Sequence, residues 1–394
     1  QAEDGIRDRS PSRGLGDVYK RQDQKKAKKT EDVGQIPQWK LMVRRFKQSK
    51  LSVIALIVLV ILYVLIILGD FIAPYQHDVL DSNSTFAKPS DIQWTGNGPV
   101  IYGLVQKLDT EKFQYYYESD PNVQYPIKFF VPGYPYKLLG FIPMSTHLFG
   151  LDPNVKPADA TQLAPKIFLW GADKEGRDLF SRVMKGGQIS MSLGFVGVLI
   201  SVVIGSLFGS ASGYFGGAID NIMQRTIELL RSFPDLPLFL ALAAALPPNV
   251  GVLTRFFLIT LIIALIGWTG LAREVRGKVL AFRAADYTNA AITAGASHWH
   301  IITKHMVPNA LSHIIVVGML AVPGAIGTET ALSFLGLGIL PPAVSWGVLL
   351  RDAQTIQAVT SYPWLLIPVA VLIIAIMSFN LLGDGVRDAV DPYG

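Results

Sequence analysis

The stretch DYTNAAITAGASHWHIITKHMVPN, residues 286–309, decides how the rest of the chain can be arranged. It is polar, carries several basic residues and lies between two long apolar segments. Ser297 is a candidate helix N-cap, Gly295 separates two runs compatible with helix, and Pro308 is a candidate helix stop. The pattern predicts a bent pair of small helices. A compact polar hinge between membrane spans is suited to docking another protein.

Composition agrees with a membrane protein. Half of the residues are hydrophobic and only 16% are charged, which is typical of several membrane spans and not of a soluble enzyme of 394 residues. The absence of cysteine excludes disulfides and thiolate metal sites. The fold class we predict is therefore all-α integral membrane.

The N-terminal region divides into three parts. Residues 1–22 resemble the translation of a sequencing adapter joined to a transposon end, and we expect them to be foreign to the fold. Residues 23–50 are basic, with nine Lys or Arg against three acids. Residues 51–73 form an apolar run long enough to cross about 30 Å of hydrocarbon. Because basic flanks stay inside, the N-terminus is predicted to be cytoplasmic.

Residues 74–184 have a different character and are predicted to form an extracytoplasmic loop or small cap. The run 125–140 has strand-like residues on either side of Pro132–Gly133, which predicts a β-hairpin with its turn there. The many aromatic residues are expected to form mainly the core of this cap, although some could grip a ligand. Alternating charges over 170–182 predict a solvated helix start whose charges pair with each other. Its basic residues would lie on the outer side of the membrane, against the usual enrichment of Lys and Arg on the cytoplasmic side.

Residues 185–394 are predicted to form a core of five further helices, so that six spans cross the membrane. Gly205, Gly209, Gly213 and Gly217 place a glycine stripe on one face of the second span. The third span ends at Leu238–Leu246, and the fourth covers about 252–270. Four crossings and five basic residues return the chain to the cytoplasmic side, where the 286–309 loop then lies. The fifth and sixth spans follow, and the C-terminus is expected to be cytoplasmic.

Four separated segments resemble one family, and one of them is the small-residue outer turn made of ALSFLGLG, residues 331–338, and PPAVSWG, residues 341–347. The 286–309 loop resembles the Glu-Ala-Ala loop of ABC importer membrane subunits, with Asn289 in place of the leading Glu. Segment 170–182 resembles the motif before the second span in C-type membrane subunits of dipeptide, oligopeptide and nickel importers. The end of the last span resembles the Gly-Asp-Gly-x-Arg-Asp of the same family. The matching residues are Gly171, Asp173, Gly176, Arg177, Asp178, Ser181, Arg182, Gly383, Asp384, Gly385, Arg387 and Asp388.

The resemblance implies a permease subunit of an ATP-driven importer for peptides, which is not itself an enzyme. It implies partners: a homologous second permease subunit, two ATP-binding subunits and an extracytoplasmic solute-binding protein. ATP and magnesium would lie on the partner subunits, and this chain would hold no cofactor. It would lie in the inner or plasma membrane, contact lipid and bind no nucleic acid. The residues implied to contact the ATP-binding subunit are Asp286, Asn289, Ala290, Ala291, Gly295, Ala296, Ser297, His305, Pro308 and Asn309.

Other chemistries have little support. The glycines of 270–278 are seven apart and no Ser or Thr follows Lys278, so no phosphate loop is predicted. His298, His300 and His305 are spaced by two and five residues, which do not align on one helix face. No HExxH and no Gly-x-Ser-x-Gly is present. We therefore predict neither catalytic residues nor a metal site.

Glu329 is an acidic residue at membrane depth, which makes it a functional candidate. Lining of the solute path or a structural role is favoured over proton coupling, because nothing nearby in sequence supplies a relay. The alternative function is an ion-coupled secondary transporter that uses Glu329, against which stands the absence of a second similar half. A third alternative is a membrane-anchored interaction protein whose cap binds a partner.

Overall fold

The computed structural model describes residues 37–390, apart from residue 97 and the segments 111–113, 159–162, 248–249 and 355–359. The segment 1–22 and the first half of the basic segment 23–50 lie outside the described residues. The described part begins with α1 (Gln38–Phe46), an amphipathic helix with Arg44 and Arg45 in its last turn. Positive charge there is favourable, because the carbonyl end of a helix is partially negative.

Five helices in the described part are long and apolar enough to cross a membrane. After Lys50, helix α2 (Lys50–Ile67) holds no charged residue and is apolar on all sides, as a lipid-surrounded helix must be. The predicted all-α integral membrane fold is confirmed. The other long helices are α4 (Leu179–Phe215), α7 (Val252–Arg283), α10 (Val307–Phe334) and α12 (Ile367–Val390), and the short ones are α3 (Gly69–Ile72), α5 (Gly217–Arg231), α6 (Asp235–Ala244), α8 (Asp286–Thr293), α9 (His298–Ile301) and α11 (Trp346–Asp352).

The place of the predicted third span is taken by a short helix. Helix α6 is apolar but has only 10 residues, against the roughly 20 that a helix needs to cross the hydrocarbon core. Pro234 is its N-cap residue and separates it from the amphipathic α5. The count of six spans therefore stays a prediction.

The glycine stripe of the second span packs against α7. A Cβ added at Gly205 or Gly213 would lie 2.9 Å from a backbone carbonyl oxygen of α7, and one at Gly209 would lie 2.5 Å from another. The two backbones therefore approach too closely for any larger side chain. The prediction is confirmed for these three residues and wrong for Gly217, because Gly216 ends α4 at a φ of 66° and Gly217 begins α5.

Helix α10 packs between α4 and α12. Buried side chains from the three helices, among them Leu193, Ile326 and Phe379, form the main apolar core. Pro323 lies inside α10 without ending it. Membrane helices tolerate this because neighbouring helices compensate for the lost backbone bond.

The described residues of 92–150 form two antiparallel sheets rather than one hairpin. Strands β1, β2 and β3 form the first sheet in that order, and β4 pairs with β5 in the second. The predicted turn at Pro132–Gly133 is wrong: both residues lie inside β4, where the pairing shifts register between Pro132 and Tyr136. Proline cannot donate a ladder bond, so a strand accepts it at such an irregularity. The strands are β1 (Ile92–Thr95), β2 (Gly98–Asp109), β3 (Gln114–Pro126), β4 (Lys128–Leu138) and β5 (Ile142–Gly150).

The aromatic residues of this region divide between its core and its surface. Tyr117 is buried, and its hydroxyl donates to the carbonyl oxygen of Thr85 at 2.5 Å. Tyr115 and Tyr116, its neighbours in sequence, are exposed. The expectation that most aromatics form a core is wrong for a large group, which includes neighbours in sequence such as Phe129 and Phe130 and so does not follow simple strand alternation. The exposed aromatics include Trp94, Tyr115, Tyr116, Phe129, Phe130 and Phe141.

Candidate coupling surface and buried ion cluster

We use the name coupling segment for residues 286–309. Its first helix, α8, ends before Gly295, which has a φ of 81°. The second helix, α9, begins after Ser297, whose hydroxyl accepts a hydrogen bond from the backbone N–H of His300 at 3.3 Å. Glycine adopts this backbone conformation without steric cost. The predicted bent pair of helices, with its cap at Ser297, is confirmed.

The end of the coupling segment differs from the prediction. Pro308 does not stop a helix: α9 passes through a π-helical turn (Ile302–Met306) into α10, and Pro308 lies in the first turn of α10. Proline is tolerated there because the π-helical turn just before it interrupts the regular ladder of i to i−4 hydrogen bonds. The segment is therefore continuous with a long membrane helix.

The inner face of the coupling segment is packed against the long helices. Ile301, Ile302 and Met306 are buried in an apolar cluster with residues of α4 and α7, including Val279. Thr288 is also buried, and its hydroxyl donates to the carbonyl oxygen of Phe282 at 2.8 Å. These contacts attach both short helices to the membrane helices.

The outer face of the coupling segment is exposed and partly aromatic. The exposed fractions of Tyr287, Ile292 and Trp299 are 39%, 49% and 63%. Exposed aromatic residues beside polar ones are typical of protein interfaces. Of the residues expected to contact a partner, Ala291, Ala296 and His305 are half-buried, and the others are exposed, namely Asp286, Asn289, Ala290, Gly295, Ser297, Pro308 and Asn309.

Two of the histidines in this segment are neighbours. The ring centroids of His300 and His305 lie 5.8 Å apart, with the ring planes at 62°. The prediction that a spacing of five places them apart is wrong, because the π-helical turn brings residues five apart onto one face. His298 points elsewhere, with its Nδ1 2.9 Å from the hydroxyl of Tyr214. Among the described residues, no group of three or more His, Asp or Glu is placed to hold a metal.

The segment before α4 contains a buried ion cluster, which we define as Asp173, Arg177, Arg182 and Asp352. Asp173 is fully buried and accepts hydrogen bonds from the backbone N–H and the Nε of Arg177, at 3.0 and 2.8 Å. Arg182 donates to Asp173 and, at 3.0 Å, to Asp352 of α11. The predicted self-pairing is present, but the predicted solvation is wrong. Mutual neutralisation and hydrogen bonding are what allow such charges to be buried.

The other residues of this motif shape the turn into α4. Gly171 and Gly176 have φ values of 80° and 73°, and a Cβ at Gly176 would overlap the carbonyl oxygen of Asp81. Asp178 is the N-cap of α4 and accepts from the N–H of Ser181 at 2.8 Å. Burial raises the pKa of Asp178 to about 6. The motif therefore joins α4, α11 and the segment after the first span.

Glu329 and the motif at the end of α12 also form close contacts. Glu329 is fully buried and accepts hydrogen bonds from the hydroxyls of Ser190 and Ser333, at 2.8 and 2.7 Å. Near the end of α12, Gly383 lies against Leu320 and Gly385 against Ser52. Asp384, Arg387 and Asp388 are exposed on the same turns. Glu329 joins α4 to α10, and the two glycines allow α12 to pack closely against its neighbours.

Sequence reasoning missed several residues. Asp352 gave no signal, because its arginine partners lie about 170 positions earlier. Asp220 of α5 accepts two hydrogen bonds from Arg276 of α7, both at 2.5 Å, and Arg276 lowers the pKa of that carboxyl below its usual value. Trp299 did carry a signal, since tryptophan is enriched at protein interfaces.

A family model described as "Binding-protein-dependent transport system inner membrane component" matches residues 201–393. A second model, described as "N-terminal TM domain of oligopeptide transport permease C", matches residues 37–89. The two matched ranges lie on either side of the two β-sheets.

Curated relatives have similar names. The oligopeptide transport system permease protein OppC of Haemophilus influenzae is 44% identical over 242 residues, which is 61% of this chain and 75% of that protein. OppC of Bacillus subtilis is 40% identical over 253 residues, with coverages of 64% and 80%. The dipeptide transport system permease protein DppC of Bacillus subtilis is 41% identical over 235 residues, with coverages of 58% and 70%.

Proposed function

The chain belongs to the family of binding-protein-dependent transport system inner membrane components, and from this membership we propose that it is a permease subunit of an ATP-driven peptide importer. The similar proteins are named as oligopeptide and dipeptide permeases, which supports peptides as the solute. In this proposal the chain pairs with a homologous permease subunit, and the solute passes between them. A solute-binding protein delivers the peptide from outside, and two separate subunits hydrolyse ATP.

One observation carries the coupling role. The coupling segment is packed on its inner face against α4 and α7 and is continuous with α10, while its outer face exposes Tyr287, Ile292 and Trp299. A segment fixed to three long helices and open on the other side is suited to receive a force from a partner. We propose that the outer face docks on an ATP-binding subunit.

The same geometry gives a mechanism. ATP binding draws the two ATP-binding subunits together, and this displaces the docked α8 and α9. The displacement passes to α7 through the buried contacts of Thr288 and to α10 through the π-helical turn. Helix α7 has 32 residues, a length of roughly 48 Å, so a small rotation at the coupling segment becomes a larger movement at its other end. ATP then shifts the population between inward and outward access.

Orientation follows from the same proposal. The coupling segment must face ATP, so it lies in the cytoplasm together with both termini. The two β-sheets between α3 and α4 then lie outside, where solute arrives. Basic residues near the end of α7, including Arg283, agree with the cytoplasmic placement.

Cysteine cross-linking tests the docking. The chain has no cysteine, so Ile292→Cys introduces a single thiol on the exposed face of the coupling segment. In the assembled complex, a bifunctional reagent should join this thiol to an ATP-binding subunit, with a yield that changes when ATP is added. Trp299→Cys should behave in the same way.

The matched control is Phe130→Cys in β4, which is 67% exposed and should give no such product. Cells that import peptide normally while neither coupling-segment thiol ever reaches an ATP-binding subunit would contradict the proposal. An equal yield from Phe130→Cys would contradict the proposed orientation.

A further inference from the structure

A small cavity lies at the end of α7 opposite the coupling segment. It has a volume of about 270 Å³ and is formed by the start of α7 and the segment 339–343. Among the described residues that line the cavity, Arg255 is charged and the others are apolar, glycine or proline. The volume suits one polar group with a short apolar attachment, since drug-sized ligands occupy pockets of roughly 300–1,000 Å³.

Arg255 is buried, and no described residue serves as its counterion. Its exposed fraction is 7%, and its Nε has no hydrogen-bond partner among the described residues. No hydrogen bond or ion pair joins its guanidinium to any residue that the structure describes. This contrasts with Arg177, Arg182 and Arg276, which are all paired with carboxylates. A cation that is largely removed from water without a partner carries a desolvation cost.

The helix end adds to the positive potential at this site. Helix α7 begins after Gly251 with no side-chain cap and no acidic residue in its first turn. The first N–H groups of a helix lack intrahelical partners and carry partial positive charge. Arg255 lies in this first turn, where a cation is unfavourable by itself. An anion would satisfy both the helix N–H groups and the guanidinium.

We propose that this cavity binds the carboxylate of the transported solute as it enters the membrane path. A guanidinium presents two parallel N–H donors that match the two oxygens of a carboxylate. The inference rests on the proposed peptide-import function, which supplies a C-terminal carboxylate and places this end of α7 outside. Arg255 holds the solute by that group while the apolar wall accommodates the last side chain.

Peptide binding to the assembled complex in lipid nanodiscs, without the solute-binding protein, tests the site. The probes are trialanine and trialanine amide, which differ only in the C-terminal group. The complex should bind the free acid roughly tenfold more tightly than the amide, the effect expected for a charge-assisted hydrogen-bonded pair. Arg255→Gln should bind both equally weakly, and Arg255→Lys should recover part of the preference.

Two controls separate binding from folding and from net charge. Arg255→Gln should unfold at the same temperature as the unsubstituted protein or higher, because it breaks no hydrogen bond or ion pair between described residues and removes a buried charge. Arg225→Gln removes an exposed arginine of α5 that pairs with Glu228, and it should keep the tenfold preference.

Four results decide the matter. Equal binding of acid and amide by the unsubstituted complex overturns the site, as does a lower unfolding temperature for Arg255→Gln. If Arg255→Gln binds the acid and the amide equally but also loses the homologous permease subunit, the partner of Arg255 is a carboxylate of that subunit. This result also overturns the proposed solute site. A preference for the acid in a complex that never imports peptide with ATP supports the site and refutes the proposed function.

Discussion

The coupling segment and the ion cluster are both polar stretches that join apolar helices, yet they differ in burial. Asp173 and Arg182 are removed from water and paired, while Asp286 and Trp299 are exposed. A glycine with positive φ lies beside the ion cluster, at Gly176, and another lies in the coupling segment, at Gly295. A Cβ added at Gly176 would overlap Asp81, whereas one added at Gly295 would have no heavy atom within 4 Å. The first arrangement joins helices to each other, and the second leaves a surface for a partner. Polarity in a loop therefore does not indicate its role until burial is known.

The largest effect expected from this comparison is that of Asp173→Asn. The substitution leaves Arg177 and Arg182 buried without their main charge partner, which should lower the free energy of unfolding by about 3–5 kcal/mol. Chemical unfolding of the purified protein in lipid micelles measures this change.

Asp286→Asn, in the first turn of α8, is the matched control. It removes an exposed carboxylate and should change the free energy of unfolding by less than about 1 kcal/mol. Equal stability of the two variants would show that the ion cluster is not what holds α4 to α11.

Substitutions at Gly295 and Gly176 should have effects of intermediate size, the first on ATP-driven uptake and the second on folding. Gly295→Pro forces φ from 81° toward about −65° and removes the N–H that donates to the Ile292 carbonyl oxygen at 2.9 Å. The chain should still insert and fold, but ATP-driven uptake should be lost. Quantified membrane insertion together with vesicle uptake measures both.

Gly176→Ala should impair folding, in contrast to Gly295→Pro, which should impair only uptake. The added methyl group overlaps the Asp81 carbonyl oxygen, so the folded yield should fall, whereas Gly295→Ala meets open space and carries only about 1–2 kcal/mol of backbone strain. Normal uptake by Gly295→Pro would rule out a hinge at this position.

The smallest effect concerns pH. The pKa of Asp178 is raised to about 6 by burial, against about 3.9 in an unfolded chain. The folded state therefore binds this proton more tightly, and the stability that the bound proton contributes is lost as pH rises from about 4 to 6. Lowering the pH from 7 to 5 should stabilise the protein by about 1 kcal/mol more than it stabilises Asp178→Asn.

Asparagine keeps the N-cap of α4, so the comparison isolates the titration of Asp178. Unfolding at both pH values checks it. An identical pH response in the two proteins would mean that Asp178 is not desolvated.

Local rules predicted much of the coupling segment. The cap at Ser297 and the break at Gly295 depend on neighbouring residues only, and both are confirmed. The stop at Pro308 was wrong because a π-helical turn lets the helix continue. The hairpin at Pro132–Gly133 was wrong because strand pairing with β5, a longer-range contact, decided where the turn lies. The contacts of the coupling segment with an ATP-binding subunit stay a prediction.

The sequence by itself determined the membrane class, the long apolar helices and the close packing at Gly205, Gly209 and Gly213, because each depends on composition or on a spacing along one helix. Only the tertiary structure decided which charges are buried. Asp173, Arg182 and Asp352 meet because α4 and α11 pack together, whereas within the described part of the chain no acid is brought to Arg255. The energy of a charge depends on the groups and solvent around it, which separation along the chain does not specify.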